Sequence, residues 1–230
     1  NYIRFPGGEP GNWYDWAQET EWTTTDTLAL RDYANGAGAA IMLQTNPTTN
    51  PVNDNGDRNN PSGEHVADWV RYCLDNDVNV PFWEIGNELD IELWDPARLE
   101  EFAWYLDIYE EHYDAIKSVD PNAIVMGPCS TNTWYWWGVG ILEYFMKAFG
   151  NVEGNGKVDA VSLHYYLEGE PTWDFIKSSA QDDWYRAMDF IQGVLDKYDT
   201  RDLPLFITET SVAIGTFQGS GTNANMIGAL

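Results

Sequence analysis

The sequence predicts an α/β fold, read as a TIM (β/α)8 barrel of which strands two to seven are visible. Three observations predict it. Short β-rich runs alternate with longer helical patterns, the signature of βα units around a parallel sheet. Two of those runs end in a glutamate. The length, 230 residues, is close to the roughly 250 residues of a complete barrel. No second composition regime appears, so residues 1–230 read as a single domain. The first strand with its helix is expected before Asn1 and the last unit after Leu230. A sheet left open in this way has two unpaired edges, and poor stability on its own is the expectation.

The first run, 2–5 (YIRF), leads into the turn Pro6-Gly7-Gly8. Thr25 or Asp26 can cap a helix ending near Gly36. The run 39–45 (AAIMLQT) is followed by 46–61, NPTTNPVNDNGDRNNP, whose Asn, Pro and Asp content reads as a long loop. Asn46, at the mouth of that loop, is a candidate substrate contact. Ser62 can cap a helix carrying Val66, Trp69, Val70 and Cys73 at helical spacing. After the run 80–85 (VPFWEI), Asp95-Pro96 opens a helix to about Val119, because proline suits the first helical position and aspartate accepts orphan N–H groups. The run 123–127, a shorter helix after Gly140, the run 158–164, a helix over 179–198 and the run 203–208 complete the series.

Charge narrows the partners. Lys and Arg number 12 against 37 Asp and Glu, for a formal net charge of −25, which disfavours nucleic acid and anionic membrane surfaces. No apolar run approaches the roughly 18 residues of a membrane span. Cys73 and Cys129 fall in a helix and at a strand end with no Cys/His cluster around them, so neither a disulfide framework nor a metal site is expected. No cofactor is expected either. A neutral substrate and an extracellular or secreted location fit the charge, and oligomeric state is left open.

Chemistry concentrates at two strand ends. Phe82-Trp83-Glu84-Ile85-Gly86-Asn87-Glu88 is an apolar strand ending in an Asn-Glu pair, and 203–210 (LPLFITET) delivers Glu209 in the same way. In parallel barrels the C-terminal strand ends form the reactive face, so these glutamates, 121 residues apart, can converge on one mouth. Two facing carboxyl groups are what glycosidic cleavage needs, one to protonate the leaving oxygen and one to attack or assist at the anomeric carbon. Glu84 shares the strand and the facing of Glu88 and is read as structural.

The ordered series RFPGG (4–8), WEIGNE (83–88), SLHYY (162–166) and ITET (207–210) resembles the clan A glycoside hydrolase superfamily, which carries its glutamates on strands four and seven. The closest likeness within it is to the arabinofuranosidase and endoglucanase-like enzymes of family fifty-one. The resemblance implies that Glu88 is the acid/base and Glu209 the nucleophile. It implies that Asn87 binds the 2-hydroxyl of the reacting sugar, that Arg4 and Tyr166 keep Glu209 ionised, and that His164 lines the pocket. Tyr165 and Tyr166 alternate across the strand, and Tyr166 is taken to face the mouth. After RFPGG the relatives commonly place an asparagine where this chain has Glu9, and the stretch through Thr23–Thr25 lacks their glycine-and-acid run; both departures bear on arabinofuranose specificity.

Twelve tryptophans and thirteen tyrosines are a heavy aromatic load, and rings in loops can stack on sugar faces. Trp13, Tyr14 and Trp16, Trp134–Trp137, and Trp173 are placed in loops, with Trp16 and Trp136 the candidate substrate contacts; Trp69, Trp104 and Trp184 are assigned to helix packing. The reading is a retaining hydrolase acting by double displacement on an oligosaccharide or polysaccharide such as a β-glucan or xylan. An exo-acting alpha-L-arabinofuranosidase and a non-catalytic carbohydrate-binding barrel are the alternatives.

Overall fold

A computed structural model describes residues 1–17, 26–47, 62–90, 102–131, 136–167 and 181–212. Within them the chain runs β1 (Tyr2–Phe5), a 3-10 turn (Glu9–Asn12), α1 (Thr27–Ala37), β2 (Ala40–Thr45), α2 (Gly63–Asp75), β3 (Phe82–Ile85), α3 (Ala103–Val119), β4 (Ile124–Ser130), α4 (Trp136–Phe149), β5 (Ala160–Leu167), α5 (Gln181–Tyr198) and β6 (Leu205–Val212). All six strands pair in parallel in chain order, β1-β2-β3-β4-β5-β6. The sheet curls into a partial TIM-type barrel whose edges are β1 and β6.

Local chemistry sets the helix ends. Asp26 caps α1 by accepting from the Ala29 N–H at 2.6 Å, and Gly38 closes it in the left-handed conformation. Ser62 caps α2 as expected, accepting from the His65 N–H. The expected start of α3 at Asp95 lies outside the described residues. One boundary is corrected: α4 begins at Trp136, not after Gly140. Glycines 138 and 140 each cost about 1 kcal/mol against alanine in a helix. The buried face formed by Ile141, Leu142, Phe145, Met146 and Phe149 offsets them. Trp136 and Trp137 are therefore helical rather than in a loop, while Trp134 and Trp173 lie outside the described residues.

Alternation along the strands splits the core in two. Residues pointing outward, among them Ile41, Leu43, Trp83, Ile85, Val125, Val161 and Leu163, join the helices in one large cluster. Residues pointing inward, Met42, Phe82, Met126 and Ala160 with Ile124 and Phe206, form a smaller apolar floor inside the curl. Two residues further along, the inward layer turns polar: Arg4, Gln44, Glu84 and Thr208 stand above that floor, Glu84 accepting from Arg4 and Thr208 while Gln44 accepts from the Gly7 N–H. Gly127 on β4 lets α3 approach closely, since a Cβ there would lie 2.8 Å from the Tyr105 hydroxyl and 2.9 Å from the Tyr109 ring.

Two bulges break the alternation at the C-terminal end. Between β5 and β6 the register passes from Leu163↔Ile207 to His164↔Glu209, leaving Thr208 extra. Between β4 and β5 it passes from Pro128↔Ser162 to Ser130↔Leu163, leaving Cys129 extra with φ 51°. An extra residue re-aims the side chains beside it. Consecutive residues Thr208 and Glu209 thereby both reach inward. Cys73 and Cys129 are free and buried, and no described helix is long and apolar enough to cross a membrane.

Candidate active site

The polar layer and the strand ends above it form one connected network with Arg4 at its centre. Its Nε donates to Glu84 Oε2 at 2.6 Å, its Nη1 to Glu209 Oε1 at 2.6 Å, and its Nη2 to Asn87 Oδ1 at 2.9 Å. Glu84 is wholly buried and also accepts from the Thr208 hydroxyl at 2.9 Å. Glu84 is therefore structural, as expected, and its task is to anchor the guanidinium. Burial works against the Arg4 charge, but Glu84 and the hydrogen bonds to both glutamates keep its pKa above the ordinary arginine value.

Glu209 sits under this cation. Tyr166 donates its hydroxyl to Glu209 Oε2 at 2.5 Å, and His164 Nδ1 lies 3.8 Å from the same oxygen. Burial alone would raise the Glu209 pKa. Against it act the neighbouring His164, the Tyr166 hydroxyl and the Arg4 contact, and the carboxyl is held below the ordinary range. Tyr166 is pushed upward, first by burial and then by its bond to Glu209, so it stays a donor. Tyr165, on the other face of β5, is buried against Trp184 at 4.8 Å between ring centroids.

Glu88 approaches from β3. The turn after Ile85 uses Gly86 at φ 79° and holds Glu88 itself at φ 48°, a left-handed conformation that persists only where its surroundings over-determine it. They do so here. The Glu88 N–H donates to the Cys129 carbonyl at 2.8 Å, while Asn12 grips Asn87 by accepting its N–H at 2.8 Å and donating Nδ2 to its carbonyl at 2.6 Å. The Glu88 side chain meets His164 Nδ1 at 2.6 Å. Single side-chain atoms of Glu88, His164 and Glu209 all lie within 4.8 Å of one another. Both carboxyl groups stay partly open to solvent, at 21% and 26%, whereas His164 is fully buried.

Those three residues are also the donor cluster nearest to metal-binding geometry among the described residues. The Arg4 cation already at 2.6 Å from Glu209 opposes a second cation there, so the arrangement suits acid/base and nucleophilic work better. Sequence reasoning missed Gln44, which accepts from the Gly7 N–H at 2.7 Å and donates to the Gly86 carbonyl at 3.1 Å. Its signal was a glutamine inside an apolar strand. Asn46 is buried just beyond β2, and the side chain of Trp136 lies outside the described residues. Trp16 departs from expectation: its indole donates to the His65 carbonyl at 3.1 Å and its ring lies parallel to Trp69. It packs on α2, as does Tyr14, because the large faces of these rings gain more from the apolar side of that helix than from water.

Asp90 was also missed. It is buried and accepts from the Thr131 N–H at 3.0 Å and the Thr131 hydroxyl at 2.9 Å, clipping the loop after β3 to the end of β4. Burial pushes its pKa up to about 6 against those bonds. The folded carboxyl then keeps its proton up to about pH 6, while the unfolded one releases near 3.9. The native state binds the extra proton in between, so stability from this group falls as pH rises from about 4 to 6. Asp90→Asn is expected to remove that slope, on the order of 3 kcal/mol, in urea unfolding across this range.

Comparison with known proteins places the chain. The model of Glycosyl hydrolases family 39 matches residues 65–227, well over half the sequence. The chain belongs to this family. The family-39 chain also shares its fold with a family 51 arabinofuranosidase from Xanthomonas axonopodis pv. citri (TM-score 0.60, 19% identity, 97% of this chain and 50% of that one). It matches a family 51 alpha-L-arabinofuranosidase from Bifidobacterium longum (0.61, 18%, 92% and 47%) and a family 44 xyloglucanase from Paenibacillus polymyxa (0.60, 14%, 90% and 62%). These identities speak to fold alone. The expected superfamily stands, and the matching family model is 39 where family fifty-one was the closest likeness in sequence. No curated protein matches the family-39 chain significantly, and it spans about half the length of the first of these structures.

Proposed function

We propose that the chain forms the catalytic part of a retaining glycoside hydrolase that cleaves O-glycosidic bonds of a β-glucan, xylan or similar polysaccharide outside the cell. One observation carries the reading: Glu88 and Glu209 bring carboxyl oxygens within 4.8 Å of each other at one end of the sheet. A spacing of this order supports the roughly 5–5.5 Å of retaining enzymes over the roughly 6.5–9.5 Å of inverting ones.

In this reading Glu209, held ionised by Arg4 and Tyr166, attacks the anomeric carbon as the glycosidic bond breaks, and Glu88 gives its proton to the departing oxygen. Glu88, now a carboxylate, takes a proton from water, whose oxygen attacks the same carbon and frees Glu209. Asn87 offers its Nδ2 to the sugar's 2-hydroxyl, because its Oδ1 is committed to Arg4. Hydrolysis of a panel of aryl glycosides, with the anomeric configuration of the first product followed by proton NMR, tests this. Retained configuration is expected, inversion would overturn the mechanism, and binding without turnover would favour a carbohydrate-binding module. The arabinofuranoside members of the panel separate the exo-acting alpha-L-arabinofuranosidase reading.

A further inference from the structure

Cys129 has no part in the mechanism above, yet its sulfur lies inside the network. Sγ is 3.2 Å from Arg4 Nη2, 3.3 Å from His164 Nε2 and 4.0 Å from Asn87 Oδ1. It gets there because it is the extra residue of the β4 bulge, in a left-handed conformation. Burial, followed by the nearby Glu84 charge, pushes the thiol pKa well up, so the sulfur keeps its hydrogen.

Among the described residues His164 Nε2 faces two groups, Arg4 Nη2 at 3.4 Å and this thiol. A guanidinium has donors and no acceptor. Nε2 therefore meets the Arg4 N–H as an acceptor, and the S–H, whose sulfur is nearer to Nε2 than to Asn87 Oδ1 and which also has Glu84 close by, is assigned to the same lone pair. A neutral imidazole that accepts at one nitrogen carries its hydrogen on the other. That other nitrogen, Nδ1, is 2.6 Å from Glu88 Oε1.

We propose that Cys129 is a positioning residue that, together with Arg4, holds His164 neutral and protonated on Nδ1, and so directs the acidic proton of Glu88 to its second oxygen. The proposal rests on the reading of Glu88 as the acid. With Nδ1–H donating to Oε1, a protonated Glu88 has no acceptor there and carries its hydrogen on Oε2, free to pass to the leaving group. With the opposite tautomer, Nδ1 would accept that proton and hold it 2.6 Å away. With His164 neutral, Glu209 is held ionised by Tyr166 and Arg4, which bond to it directly.

Two measurements test this. Imidazole nitrogen NMR of the wild type, with three histidines to assign, is expected to show His164 neutral with its proton on Nδ1; a proton on Nε2 overturns the proposal. Kinetics on aryl glycosides come second. Cys129→Ala is expected to lose roughly tenfold or more kcat/KM on poor leaving groups beyond its loss on a dinitrophenyl glycoside, which departs with little acid assistance. Cys129→Ser, which keeps a donor, recovers most of the difference. Equal losses on both substrates mean a purely structural role and overturn the proposal. A wild type inert on every glycoside defeats the hydrolase reading, and the tautomer then decides the role of Cys129 alone.

Discussion

Glu209→Ala lowers kcat/KM on aryl glycosides by roughly 10^4-fold or more, the scale of losing a nucleophile, and added azide restores much of the loss. The rescue distinguishes a missing nucleophile from a damaged fold. Azide enters the space left by the carboxylate, its nitrogen bonds to the anomeric carbon as the aryl oxygen leaves, and the glycosyl azide has inverted configuration. The same variant also strips Arg4 of one of its two carboxylates, yet Glu84 at 2.6 Å still holds the guanidinium, so the fold is expected to survive. Failure of azide to rescue a folded Glu209→Ala would remove the nucleophile assignment.

Arg4→Met is expected to have the largest effect on stability. Glu84 is fully buried and Arg4 is its cation; removing one partner of a buried pair leaves an uncompensated charge, at a cost of about 3–5 kcal/mol. Adding Glu84→Gln to Arg4→Met should recover most of that stability in urea unfolding and none of the activity, since Glu209 would still lack its cation. In Arg4→Met alone the pKa of Glu209 rises, because a group that lowered it is gone, and the acid limb of the rate profile moves to higher pH. Arg4→Lys is not conservative here: one ammonium cannot meet Glu84, Glu209 and Asn87 in the fork a guanidinium spans. Unchanged stability of Arg4→Met would show that Glu84 finds other compensation.

The strand-end glutamates were legible because a parallel strand reads as an apolar run and a carboxylate at its end stands out against it. His164 and Tyr166 came with the family resemblance, and two-residue alternation chose Tyr166 over Tyr165. The bulges were not legible, since an extra residue in one strand leaves no mark on the hydrophobic pattern of that strand; Cys129 and the shared inward facing of Thr208 and Glu209 stayed hidden for that reason. Asp90, two residues beyond Glu88, was read past because its role depends on Thr131, just past the end of β4. Trp16 was misjudged on type alone, as an indole in a loop looks the same whether it meets a sugar or a helix.

Arg4 and Glu209 belong to the two margins of the sheet, separated by five strand-to-strand ladders, yet touch at 2.6 Å. Their distance therefore adds up the rotation at every ladder between them. The reactive gap is a measure of total curvature rather than of any one loop. A slight relaxation of strand twist far from the mouth would be summed at this one contact, so a substitution on the outer helices that flattens the sheet should register first as a change in rate and only later as a change in melting.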